Sequence, residues 1–284
     1  MNALRSPERL MFFLVIGYSL GLLWEQLNGN FGYWEIAWDS SLWEAFATDW
    51  DHWLNSSAPR LELALRIAGI ILSGLFSLLF FKKWQPGPIQ TLSKTVAWSL
   101  SVFLLAYMFW GWYSRSWLWP WMAEHSIRIA LPVLLFYWIY GNERQLRLTN
   151  IAGLVALSLT FAGHGWFAMN LAPIPGDFLY MTTRILHVGE PAARHFLWIM
   201  GMLDLIAVLC FWIKSARRPA LWYAFAWGML TALARLVGHF YVEIPLESIN
   251  EWMPEVLVRL GHGLVPLLFL LKNEGQNPLQ KASR

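Results

Sequence analysis

Seven histidines and a small set of arginines are the residues best equipped for chemistry in this 284-residue chain. Their spacing is not random. His164 and His262 each stand between two glycines, as Gly163-His164-Gly165 and Gly261-His262-Gly263, and Gly238-His239 is a related pair. Histidine also recurs beside arginine: His125 with Arg128, Arg235 with His239, and Arg259 with His262. Those separations of three or four residues put both members of each pair on one face of a helix. Imidazole is the commonest transition-metal ligand and carries protons near neutral pH. The forked guanidinium group binds carboxylates and phosphates through paired hydrogen bonds. Three His/Arg faces converging on one space would form a cationic pocket.

Two chemistries fit these residues. In the first, the site holds haem or a transition metal, with His164, His239 and His262 as metal ligands and His195 as a further candidate. His164 and His262 would then bind the cofactor together with Arg235, Arg259 and Arg128, whose charges suit haem propionates. In the second, the pocket takes an anionic amphiphile: a lipid headgroup, a lipid-linked phosphate or a quinone-like molecule. The arginines would bind the anion, and Asp204 or His195 would act as acid or base. A third reading makes the polar groups helix–helix glue, with Asp204 and Arg235 as a buried ion pair. The chain would then be an accessory subunit of a membrane complex, or a homo-oligomer. No nucleotide loop, nucleophile elbow, HExxH or CxxCH run is present to decide between them.

The elements that must position these residues are membrane helices. Hydrophobic residues make up 57% of the chain and charged residues only 14%, with mean hydropathy +0.42 and twenty tryptophans. A soluble domain carries about a quarter charged residues. The apolar residues come in blocks of about 20, the length that crosses about 30 Å of hydrocarbon. The expected architecture is an all-α membrane domain over residues 1–284. Its eight spans lie near 10–27, 61–81, 93–113, 125–141, 150–170, 194–213, 219–241 and 254–271. The first is expected to be retained, because no small-x-small cleavage site follows Leu10–Leu23.

Charge sets the orientation. With both termini cytoplasmic, the inner segments hold 13 of the 21 basic residues, including every Lys, against only Glu8, Glu143 and Glu274. That asymmetry follows the positive-inside rule and suits a bacterial-type inner membrane. The same pattern argues against nucleic acid, since the basic residues are scattered over short loops. A cytoplasmic tail follows from 272 to 284.

On the opposite side, residues 28–60 carry Trp34, Trp38, Leu42, Phe46, Trp50 and Trp53 at helical steps, separated by acids. This is expected to be an amphipathic segment on the extracytoplasmic surface. The connection between spans five and six turns at Pro173-Ile174-Pro175, and Met181–His187 reads as a short helix over the cavity mouth. All seven histidines fall toward this outer side. His164 and His262 lie roughly 9 Å and 12 Å below the boundary at 1.5 Å rise per residue. Arg66, Arg128, Arg194 and Arg259 recur once per hairpin, a weak trace of duplication. The lone cysteine, Cys210, excludes an intramolecular disulfide.

Overall fold

The computed structural model describes residues 7–29, 31–44, 49–77, 79 and 87–274. Among these there is no strand, only helices and short connections. The chain runs α1 (Pro7–Asn28), α2 (Tyr33–Ala37), α3 (Ser40–Trp43), α4 (Trp50–His52), a π-helical turn (Trp53–Ser57) and α5 (Ala58–Phe76). Then follow α6 (Gly87–Ser114), α7 (Trp119–Glu124), α8 (Ser126–Tyr140), α9 (Glu143–Ala168) and α10 (Gly176–Leu186). The last three are α11 (Glu190–Trp212), α12 (Arg217–His239) and α13 (Pro245–Glu274).

Seven segments are long and apolar enough to cross a membrane: α1, α6, the α7–α8 pair, α9, α11, α12 and α13. This is the pattern of a multi-pass membrane protein. Helix α5, where a further span is expected, carries Arg60, Glu62 and Arg66 in its first half, and residues 78, 80 and 81 of that span lie outside the described region. Arg5, Phe46, Lys82, Lys83, Lys281 and Arg284, used above to read orientation and surface character, lie there too.

Helix α13 is the axis of the bundle. It packs along α12 and α1 and also meets α8 and α9. Its Val256, Val258, Leu260, Leu264, Val265 and Leu268 are buried. Around it lie two apolar cores, one shared by α1, α6, α8 and α13, the other by α9, α11 and α12 near the 213–217 turn. The opposite faces are apolar but exposed: Trp198, Leu203, Ile206 and Leu209 on α11, Leu230, Leu233 and Val237 on α12. Side chains of this kind need lipid rather than water.

Two boundaries differ from the hydropathy expectation. Helix α13 begins nine residues before 254, because Leu246, Ile249 and Trp252 continue its helical pattern beyond the lipid-length block. Helix α10 begins at Gly176, just after Pro175 at its N-cap, rather than at Met181. The fourth span starts with α8 close to its expected position, and a break at His125 separates it from the short helix α7. Across this break the freed amide of Ile127 donates to Thr160 Oγ1 of α9 at 3.0 Å, as buried backbone groups require. At the start of α9, Asn142 and Gln145 form a reciprocal capping box.

Candidate functional site

Helices α9 to α13 enclose a cavity of about 310 Å³ at the end of the bundle away from the 213–217 turn. Its wall is mainly apolar, built from Phe161, Phe178, Met181, Phe196, Met200 and Trp227, and its polar lining includes His164, His262, Arg235, Arg259 and Asp204. Close helix packing places the histidines. A Cβ on Gly163 would meet the Glu124 amide nitrogen at 2.6 Å, and one on Gly165 would meet the Gly201 carbonyl at 2.8 Å. The glycines flanking His164 therefore seat α9 against α7 and α11 and fix the imidazole between them. Gly228 does the same for α12: a Cβ there would lie 2.6 Å from the His262 carbonyl oxygen.

The two imidazoles have ring centroids 5.6 Å apart, tilted by 55°. His164 Nδ1 lies 3.4 Å from Glu124 Oε2. His262 Nδ1 donates to the Arg259 carbonyl at 3.0 Å, and its Nε2 is buried without a hydrogen-bond partner. The His262 ring is thus tethered through Nδ1 with Nε2 uncommitted, and the His164 Nδ1 faces a carboxylate at ion-pair distance.

Arg259 donates from Nε to Glu255 Oε2 at 3.0 Å. Glu255 Oε1 lies 3.8 Å from Arg128, which donates to Glu25 Oε2 at 2.5 Å. A buried chain of alternating charge therefore runs from α1 to the cavity. Arg235 reaches outward instead, donating to Asp177 Oδ2 of α10 at 3.1 Å. Helix α10 is also held at its other end, where Arg184 donates to the Phe240 carbonyl at 2.8 Å and to Tyr180 Oη at 2.6 Å. The hydrogen bond with Tyr241 and the neighbouring guanidinium pull the Tyr180 phenol below its ordinary range.

Several expected placements are corrected. Asp204 does not pair with Arg235; its Oδ1 accepts from Tyr223 Oη at 2.7 Å. His239 does not join His164 and His262. It stacks on Trp252 with centroids 3.6 Å apart and donates to the Arg235 carbonyl. Among the described residues no three His, Cys, Asp or Glu side chains are grouped to hold a metal, so the set His164, His239 and His262 is not assembled. His195 is exposed and donates to the Pro191 carbonyl, outside the cavity lining. Arg128 does not line the cavity either; it is locked between two carboxylates with Phe31 beneath it.

Glu124 and Glu255 were not singled out from the sequence. Glu255 had a signal, four residues before Arg259 on one helix face. Glu124 looked like an ordinary acid at a span boundary, and only the break at His125 turns it inward.

As built, the site offers two guanidinium groups to an anion, with two imidazoles beside them, and an apolar wall to a hydrocarbon chain. No protein-family model matches the chain, and neither does any curated protein or solved structure.

Proposed function

We propose that this cavity binds an anionic amphiphile, with the apolar part along the aromatic and methionine wall and the anionic group at Arg235 and Arg259. The carrying observation is the Asp177–Arg235 pair: a half-exposed carboxylate from α10 occupies the guanidinium at the cavity's edge. Asp177 is 53% exposed while Arg235 is only 11% exposed, so an arriving anion can take the guanidinium as the carboxylate swings back to water. Helix α10 then serves as the cover over the entry.

The surrounding frame in this reading has eight crossings, α5 continuing into the eighth, with both termini on the cytoplasmic side of a cell inner membrane. The segregation of basic residues supports it. The cavity consequently faces the extracytoplasmic side.

The test is binding of phosphatidic acid or phosphatidylglycerol to detergent-purified protein. Arg259→Gln and Arg235→Gln should each weaken it roughly tenfold, as loss of one charge-assisted hydrogen bond implies. Equal affinity for a zwitterionic lipid of the same chain length would sink the reading.

Haem or a transition metal is the second reading, supported by the Nδ1 contacts. A metal-bound histidine turns its other ring nitrogen to a carboxylate or carbonyl, as the His164 and His262 Nδ1 atoms do toward Glu124 and the Arg259 carbonyl. Two nitrogens fall short of the three or four protein ligands of a bare metal site, which ranks a metal second; in haem they would be the two axial ligands. An absorption spectrum with and without dithionite, plus metal analysis, decides it.

A further inference from the structure

We propose that the site hydrolyses the phosphate ester of its amphiphile, with His164 as general base, Glu124 as its positioning residue and His262 as general acid. This rests on the anionic-amphiphile reading and adds chemistry to it.

Phosphate-ester hydrolysis needs a proton taken from water on one side of phosphorus and a proton given to the leaving oxygen on the other. Two imidazoles that line one cavity, with ring centroids 5.6 Å apart, supply that pair of sites. They are not equivalent. His164 has a carboxylate 3.4 Å from Nδ1, which favours the proton on that nitrogen and a lone pair on Nε2. His262 has a backbone carbonyl on Nδ1 and a buried, unpartnered Nε2. A helix-packing histidine would find a partner for that nitrogen, because an unsatisfied buried polar atom is costly. Beside the rings, Arg259 uses Nε for Glu255, and no hydrogen bond to its two Nη groups is formed among the described residues. Together with Arg235 it can hold the non-bridging phosphate oxygens, for which forked donors are suited.

The step balances without a further reactant. The ester enters as a monoanion and passes its proton to His262 Nε2. His164 Nε2 removes a proton from water as the water oxygen bonds to phosphorus. The P–O bond to the lipid breaks with its electron pair on oxygen, and that oxygen takes the proton from His262. His164 returns its proton to the phosphate. The products are the lipid alcohol and inorganic phosphate.

The experiment uses full-length protein in detergent, with short-chain phosphatidic acid as probe, and measures binding by tryptophan quenching and phosphate release separately. Wild type should release phosphate. His164→Gln should bind normally but turn over at least about a hundredfold more slowly, the usual size of a general-base loss. Glu124→Gln should lower kcat with KM unchanged, and Glu124→Asp should restore part of it, a split that general destabilisation does not produce. Binding without phosphate release by wild type overturns hydrolysis and leaves the binding reading standing. Absence of binding overturns both. Full turnover in His164→Gln overturns the assigned base.

Discussion

Glu124 Oε2 lies 3.4 Å from His164 Nδ1, although the two come from separate helices, α7 and α9. The interruption at His125 lets α7 lie against Gly163, so the carboxylate arrives beside the imidazole. A buried carboxylate, an imidazole beside it and a second ring in the same cavity lining form one unit.

The buried charge chain is the first support. Arg128→Ala leaves Glu25 in the interior without its cation, and the loss should be about 3–5 kcal/mol. Thermal unfolding in detergent measures it. The double variant Glu25→Gln with Arg128→Met should be milder than the sum of the two single changes, since it removes both charges together. Simple additivity would show that the pair is not coupled.

Close approach at α12 and α13 is the second. Gly228→Leu places side-chain carbon where the His262 carbonyl already sits, 2.6 Å from the ideal Cβ position. Overpacking of this kind costs about 1–3 kcal/mol. The larger effect should be on the cavity, because moving α13 moves His262 and Arg259 with it. Anionic-lipid binding should fall further in this variant than in Gly87→Ala, where nothing lies within 4 Å.

How much of this was visible in the chain depends on which physical signal carried it. Lipid-length apolar blocks announce α1, α6, α9, α11 and α12 directly, because hydropathy is additive along a segment. His164 and His262 stand out for a related reason: polar residues are rare within such blocks, and flanking glycines mark close contact. Partner identity has no such local signal. Asp204 is one span away from both Arg235 and Tyr223, and hydropathy is silent on which way its helix is rotated. The structure turns it to Tyr223. His239 has the same Gly-His signature as the other two, yet Trp252, thirteen residues onward, captures its ring. The start of the fourth span near 125 was legible in the hydropathy, whereas the short helix Trp119–Glu124 before it carries no lipid-length signal and was read as an aromatic connection.

The cover helix should be loosely latched. Asp177→Asn removes the ion pair at the start of α10 but leaves Arg184 on the Phe240 carbonyl at its end. Stability should fall by about 1–3 kcal/mol, because the Arg235 guanidinium, only 11% exposed, loses the carboxylate it donates to. Exchange of bound lipid should accelerate, and affinity for an anionic headgroup should rise, because Arg235 no longer has a competing carboxylate. Stopped-flow tryptophan quenching measures both. Unchanged rates would mean that α10 does not gate the cavity.

Asp204 separates the structural and chemical explanations most cleanly. Had it neutralised Arg235, Asp204→Asn would leave a buried guanidinium uncompensated and the variant would unfold. The observed partners differ: Arg235 takes Asp177, and Asp204 takes the Tyr223 hydroxyl at 2.7 Å. An asparagine of the same shape still offers Oδ1 to that hydroxyl, so the hydrogen bond survives and no charge is stranded. Asp204→Asn should therefore fold with a melting temperature close to wild type, whereas Asp204→Leu leaves the half-buried Tyr223 hydroxyl only the Met200 carbonyl at 3.4 Å and should cost about 1 kcal/mol. Because Asp204 lines the cavity beside the apolar wall, the asparagine variant also isolates its charge. Any change in ligand binding or turnover then belongs to the carboxyl proton rather than to the fold. A collapse of Asp204→Asn in thermal unfolding would instead show that the carboxylate neutralises a cation after all.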